Sequence, residues 1–363
     1  MQKTVKNGKI EFARFAFSVI IMLFHMYESL LPIDHKVWGK FTFFANGWFG
    51  VEFFFVVSGF LMASTAFKKK NDNSPIGKAT FSFMWKKLMA VLPYHLIVFP
   101  VSFITICIMN KVNLSDFVTL FIKILPNFFL VQRSGLVNKD ILGVEWYISE
   151  MLFAMLILYP VCRKYYDRFT KTIAPVLALL ILGYLIKTTG SLGGSKDWSV
   201  LVSKTLLRAV AEICAGAFTF EVCRNIKRLN FTKLDKTFLS CLELFSYAII
   251  ILFIVYDFPG SFAGTIIIFV CIAVCLSFSE ITFGNKLFNN KIVYCLGSLS
   301  LPLYLCQSVM RIFAKFLYRE HLEFASTVIV FFIVTFAYAI VASFVEKGVR
   351  KMINKKIQKL IER

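Results

Sequence analysis

Charged residues are scarce in this sequence. They make up 17% of its 363 residues, while hydrophobic residues make up 58%; an ordinary soluble domain has about a quarter charged residues and about 45–50% apolar ones. No stretch is long or polar enough to form a second, soluble domain. The first apolar stretch is too long for a signal peptide, and no small-residue cleavage site follows it. The composition therefore excludes a soluble or secreted globular protein.

Familiar catalytic motifs are also missing. The sequence contains no P-loop, no Gly-x-Ser-x-Gly nucleophile elbow, no His-Glu-x-x-His zinc motif and no dinucleotide-binding fingerprint. Its nine cysteines are scattered, show no metal-ligand spacing and mostly lie inside apolar segments. We therefore expect the cysteines to be small core residues, and we expect no bound metal.

Long apolar stretches recur from end to end, and they predict an all-α, polytopic membrane bundle of about ten transmembrane helices. Each stretch can cross a hydrocarbon core of about 30 Å as a helix, which satisfies its own backbone polar groups. Segment 115–131 is apolar but short, and Lys123 and Pro126 interrupt it. The predicted helices are 10–31, 48–67, 88–109, 145–162, 171–187, 201–222, 237–256, 261–279, 292–316 and 323–345.

The net charge of +20 follows the positive-inside pattern. If segment 115–131 does not cross, the predicted cytoplasmic segments carry 27 Lys and Arg residues and the outside segments carry 8. If it crosses, 18 of these basic residues move outside. The distribution favours an outside interfacial or re-entrant segment, with both termini cytoplasmic. Because membrane topology accounts for the charge, we expect no nucleic acid partner.

The charge pattern also divides the chain into a transmembrane domain, 1–345, and a basic cytoplasmic tail, 346–363. The tail is weakly amphipathic. It is expected either to lie on the anionic inner leaflet or to be solvated.

The first predicted helix carries three ionisable residues, Arg14, His25 and Glu28. Eleven residues separate Arg14 from His25, about 20° more than three turns, so the two share a face about 16 Å apart along the axis. Glu28 lies one turn further on nearly the same side. Ionisable residues inside a membrane span are rare and often functional. The alternative is an arginine that snorkels to the interface and a histidine satisfied by a neighbouring helix.

Other predicted helices carry buried charges as well. Glu52 lies in an apolar run that ends at Ser58-Gly59, where small residues permit close helix packing. Glu150 needs a partner at its position in the fourth helix. Arg208 and Glu212 are four residues apart, a spacing at which they can neutralise each other.

Several of these residues lie in motifs that resemble the acyltransferase-3 family of membrane acyltransferases, which O-acylate cell-envelope glycans and related acceptors. Arg14 followed by His25 is similar to the family's first motif. Residues 50–60 (GVEFFFVVSGF) match its most specific motif, with Glu in place of Asp. Residues 146–150 (WYISE) and 296–305 (LGSLSLPLYL) are similar to two further motifs. The resemblance covers nearly the whole chain.

Two positions depart from the family pattern. Where the family has Arg-x-x-Arg before a proline, this chain has Lys87 and Ala90, with Lys86 as an additional point charge. Where the late motif ends in histidine, this chain has Gln307, which can form hydrogen bonds but cannot titrate. The resemblance implies that Arg14, Lys86 and Lys87 bind the phosphates of the acyl donor.

The resemblance implies a membrane-bound O-acyltransferase. Its donor would be acyl-CoA, most simply acetyl-CoA, on the cytoplasmic side, and its acceptor a hydroxyl of an envelope or extracellular glycan or a lipid-linked sugar. His25 would act as general base or as transient acyl carrier, with Arg14, Glu52 and Glu150 as further catalytic residues. Membrane lipids surround the protein, which we expect to be a multi-pass protein of the bacterial plasma membrane.

A secondary transporter or flippase for a glycan-linked or anionic substrate is the alternative. Transporters often contain inverted halves with broken helices at matching positions. The sequence shows no such pairing, which favours the enzyme.

Overall fold

The fold is almost entirely helical. The structure, a computed structural model, describes residues 6–30, 44–132, 143–194, 198–199, 202–320 and 323–361. It is 84% helical, and the strands within these ranges are the short antiparallel pair β1 (Trp198–Ser199) and β2 (Val202–Ser203). The predicted all-α class is confirmed.

The described part of the chain contains eleven main helices. Eight of them, all but α1, α4 and α7, are long and apolar enough to cross a membrane by length and composition. Helices α1 and α7 have 23 residues each, about 34 Å of helix, and carry several charged side chains. The helices are α1 (Gly8–Leu30), α2 (Gly50–Lys68), α3 (Ile76–Met109), α4 (Leu114–Phe128), α5 (Trp146–Lys164), α6 (Ala174–Thr189), α7 (Lys204–Ile226), α8 (Lys233–Val255), α9 (Ala263–Ser279), α10 (Lys291–Glu320) and α11 (Phe324–Ile361).

Two helices extend more than ten residues beyond their predicted bounds. Helix α3 begins at Ile76 rather than at residue 88, so Lys86 and Lys87 lie on a helix instead of in a cytoplasmic loop. The basic residues of this stretch favour a loop in the sequence, but Pro75 has a φ of −51° that suits a helix start. Helix α11 continues past residue 345 to Ile361, so no helix end marks the predicted boundary of the tail. Residues 362–363 of that tail lie outside the described residues.

Helix α4 is the segment that the charge pattern predicts to remain on one side. Its 15 residues span about 22 Å, too short for a hydrocarbon core of about 30 Å. It runs back antiparallel along α3: the rings of Phe117 and Phe103 lie 5.3 Å apart, and the Phe128 carbonyl lies 3.0 Å from Nε2 of His95. This geometry fits both forms predicted from the sequence, an interfacial segment and a re-entrant segment.

Helices α2 and α7 cross at two glycines, which allow their backbones to meet. A Cβ on Gly59 would lie 2.1 Å from the carbonyl oxygen of Ile213, and one on Gly216 would lie 2.0 Å from that of Val56. No side chain fits at either position without moving a helix. The close packing predicted at Gly59 is therefore present, and Gly216 is its counterpart on α7.

Replacing Gly216 by Ala should lower the melting temperature in detergent, because the new methyl group meets backbone rather than a movable side chain. Overpacking of this kind costs about 1–3 kcal/mol. The control is Gly183→Ala on α6, where a Cβ meets nothing within 4 Å; it should leave the protein unchanged or slightly stabilised. Equal melting temperatures for the two variants would contradict the close crossing.

Candidate active site

A cavity of about 190 Å³ lies among α1, α2, α3, α5 and α10. Most of its wall is apolar, as is usual for a pocket that binds an organic ligand. Each of the family-like motifs of the sequence contributes to its lining. Its polar lining consists of Arg14, Ser58, Lys87, Tyr147, Ser300 and Tyr304.

The charged part of the lining consists of Arg14 and Lys87. The Arg14 side chain is 35% exposed, and its guanidinium lies 3.2 Å from a carboxylate oxygen of Glu11, so Arg14 remains partly available to an anion. The Lys87 ammonium lies 5.7 Å from the centroid of the Phe83 ring.

Ala90 lines the cavity one turn further along α3, which leaves space where the family has an arginine. Lys86 is exposed on α3, away from the cavity wall.

His25 lies behind the cavity wall rather than in it. It is 7% exposed, and its Nδ1 lies 3.2 Å from Oε1 of Gln307 on α10. The Gln307 amide nitrogen donates a hydrogen bond of 2.9 Å to the carbonyl of Tyr304, which lines the cavity. The histidine is therefore connected to the cavity through two residues of α10.

Helices α1 and α10 run parallel and share a polar seam, which we define as the pairs Ser18–Ser300, His25–Gln307 and Glu28–Arg311. The Ser18 and Ser300 hydroxyl oxygens are 2.8 Å apart, and Glu28 lies 3.9 Å from Arg311. Ser18 and His25 are seven residues apart, as are Ser300 and Gln307. Seven residues are close to two helical turns, so the pairs fall on one face of each helix. The polar stripe predicted on the first helix thus meets a matching stripe.

Glu52 forms a buried ion pair that the sequence did not indicate. Its carboxylate accepts from Nε of Arg208 at 3.1 Å and lies 3.0 Å from Nη2. Glu212, the partner that spacing suggests for Arg208, is more distant at 3.8 Å. Spacing along one helix misses the pair because Glu52 and Arg208 are brought together by the crossing of α2 and α7.

The guanidinium of Arg208 has further partners. It donates to the carbonyl of Leu192 at 2.8 Å and lies 5.7 and 5.0 Å from the ring centroids of Trp48 and Trp146. Arg208 therefore connects the segment before α2 and the start of α5 to α7.

Glu150 lies close to the start of α7. Its Oε1 accepts hydrogen bonds from the hydroxyls of Ser203, at 2.9 Å, and Thr205, at 2.7 Å. The Ser203 hydroxyl also accepts from the backbone N–H of Leu206 and so caps α7. Glu52 and Glu150 both lie away from the cavity wall.

The segment before α5 is fixed by three side chains. Gly143 has a φ of +74°, and a Cβ there would lie 2.3 Å from the Arg311 guanidinium. The Tyr304 hydroxyl donates to the carbonyl of Val144. His95, fully buried, contacts the Glu145 carboxylate at 3.0 Å through Nδ1. These contacts hold the first turn of α5, which carries Tyr147 into the cavity.

Four polar residues line the cavity without having been predicted as lining residues from the sequence: Ser58, Tyr147, Ser300 and Tyr304. All four lie inside the motifs that carry the family resemblance, so the motifs themselves were the available signal. Within the described ranges, no group of three or more His, Cys, Asp or Glu residues could hold a metal ion.

Comparison with known families identifies the chain. The family model described as an acyltransferase domain, Acyl_transf_3, matches residues 7–345. The chain belongs to the acyltransferase-3 family. As a member of the acyltransferase-3 family with eight candidate membrane-spanning helices in its described part, it is a membrane acyltransferase. Comparison with the curated proteins gave no match, and comparison with the solved structures gave none.

Replacing Arg208 by Met should lower the melting temperature strongly, because it leaves the Glu52 carboxylate buried without its cation. Removing one partner of a buried pair costs about 3–5 kcal/mol. Changing Glu52 to Gln in the same protein should recover part of the loss. The matched control is Lys70→Met, which breaks the exposed pair of Lys70 with Asp167; it should cost less than about 1 kcal/mol. A double variant no more stable than Arg208→Met would contradict the pairing.

Proposed function

We propose that this acyltransferase moves an acetyl group from acetyl-CoA on the cytoplasmic side to a hydroxyl of an envelope or extracellular glycan, or of a lipid-linked sugar. The observation that carries the proposal is the cavity: cations lie at Arg14 and Lys87, and Tyr304 and Gln307 lead from its wall to His25. Family membership favours this function over the alternative of a transporter or flippase.

The donor would bind with its anionic phosphates against Arg14 and Lys87. A planar guanidinium can bind phosphate oxygens in bidentate fashion, whereas an ammonium acts as a point charge. Lys86 adds positive charge to the surrounding surface from outside the cavity wall. The thioester arm would then extend along the apolar wall towards the α1–α10 seam.

His25 would carry out the proton transfer. Its imidazole removes the proton of the acceptor hydroxyl while the oxygen attacks the thioester carbonyl carbon. The C–S bond breaks, and the sulfur of the leaving CoA takes up the proton, so that an ester and free CoA result. In the alternative route, the imidazole nitrogen attacks the thioester carbonyl carbon, and CoA leaves as the thiolate. The acceptor hydroxyl then attacks the acyl carbon, the N–C bond to the imidazole breaks, and the hydroxyl proton goes to the thiolate.

Glu52 and Glu150 would act by holding helices in place rather than by contacting the substrate. Through Arg208 and the start of α7, they hold α2 and α5, which supply Ser58 and Tyr147 to the cavity. We propose the bacterial plasma membrane as the location, with the surrounding lipids as contacts and no metal required.

Replacing His25 by Gln should reduce release of free CoA in the presence of acceptor by about 10²–10⁴-fold, because glutamine keeps hydrogen bonding but cannot take a proton. Turnover is measured with purified protein, acetyl-CoA and an envelope glycan fraction. Melting temperature and insertion into detergent micelles serve as folding controls. Near-normal turnover with Gln at position 25 would refute proton transfer by His25. If the unsubstituted protein never releases CoA, the result would favour the alternative function, a transporter or flippase.

Replacing Lys87 by Ala should raise the KM for acetyl-CoA while changing kcat little, because a charge on a remote phosphate binds substrate and transition state equally. Lys86→Ala is the matched control, since it removes the same charge from the neighbouring exposed position. Its effect on KM should be smaller. Equal effects of the two substitutions would place the phosphates outside the cavity.

A further inference from the structure

The orientation of the Gln307 amide is fixed by its two partners. The Tyr304 carbonyl can only accept, so the group 2.9 Å from it must be the amide nitrogen. In the opposite orientation, two oxygen acceptors would face each other at this distance. The Gln307 carbonyl oxygen therefore faces Nδ1 of His25 at 3.2 Å.

This orientation determines which nitrogen of His25 carries the proton. An amide oxygen has no hydrogen to give, so the bond to it requires a proton on Nδ1. In the neutral ring, the lone pair then lies on Nε2. Among the described residues, the hydrogen bond recorded for this ring is the one at Nδ1.

The rest of the α1–α10 seam keeps the two side chains in register. Ser18 bonds to Ser300 one heptad before the histidine, and Glu28 pairs with Arg311 one turn after it. Sliding of one helix along the other would break the buried Ser18–Ser300 hydrogen bond. The His25–Gln307 contact is consequently set by the helix pair.

We propose that Gln307 is a positioning residue that holds His25 in the Nδ1–H form and presents Nε2 to the reacting group. The proposal rests on the proposed role of His25 as base or acyl carrier. It also gives a physical reason for the glutamine at position 307, where the family pattern has histidine. A histidine there could offer either a donor or an acceptor, whereas a glutamine whose NH₂ group is committed to Tyr304 offers an acceptor alone.

The tautomer can be observed without reference to activity. The chain has four histidines, so protein labelled with ¹⁵N-histidine in lipid bilayers gives few ring signals, and His25→Gln identifies those of His25. Long-range ¹⁵N–¹H correlations distinguish the two ring nitrogens. We expect Nδ1 to be protonated and Nε2 to be unprotonated near neutral pH. A proton on Nε2 alone would overturn the proposal, and this measurement needs no variant at position 307.

Two substitutions at position 307 test whether Gln307 determines the tautomer of His25. Gln307→Met keeps the shape but removes the acceptor, so His25 should shift towards the Nε2–H form and kcat should fall about tenfold with an unchanged KM for acetyl-CoA. Gln307→Glu keeps an acceptor, so Nδ1 should remain protonated. The matched control is Gln132→Met: Gln132 is also buried, but among the residues that the structure describes neither its amide oxygen nor its nitrogen has a hydrogen-bond partner. It should leave the tautomer and kcat unchanged.

An unshifted tautomer with unchanged kcat in Gln307→Met, or an equal effect of Gln132→Met, would overturn the positioning role. Failure of the proposed function looks different. If His25→Gln kept normal turnover, the catalytic part would fail, while the nuclear magnetic resonance signals would still decide whether Gln307 sets the tautomer.

Discussion

Burying a polar side chain in this bundle costs free energy unless the side chain finds a partner within the protein, because the surrounding hydrocarbon offers none. The guanidinium of Arg208 shows how far this requirement reaches. It binds the Glu52 carboxylate on α2, the carbonyl of Leu192 and the faces of two tryptophans. These partners come from three separate parts of the chain, residues 48–52, Trp146 and Leu192, so one side chain determines how several helices meet. The glycine crossing of α2 and α7 brings the two backbones close enough for the pair to form.

The same requirement organises the α1–α10 seam. Three polar pairs at helical spacing join these helices, and the cavity lies beside them. Arg14, Ser300 and Tyr304 belong to both the seam helices and the cavity wall. The first two pairs thus satisfy buried polar groups, and the arrangement also leads from a cationic site to a histidine. Stability and the proposed chemistry depend on the same contacts.

The segment before α5, residues 143–145, is also held by side chains of other helices. Three side chains from α3 and α10 hold Gly143, Val144 and Glu145, so the first turn of α5 cannot move independently of those helices. Tyr147 extends from this turn into the cavity. The shape of the proposed donor site is therefore determined partly by contacts outside it.

The sequence by itself determined the all-α class, the ten principal helices and the short segment that became α4, because apolar length and basic charge are properties of the chain read in order. It also indicated Arg14, His25 and the motifs that line the cavity. It could not find the partner of Arg208, because Glu52 lies 156 residues away in the chain, and spacing on one helix suggested Glu212. Only the tertiary structure decided that Lys87 lines the cavity while Lys86 does not, since that depends on how α3 is rotated. It alone paired Gln307 with His25, because a hydrogen bond between two helices depends on their register.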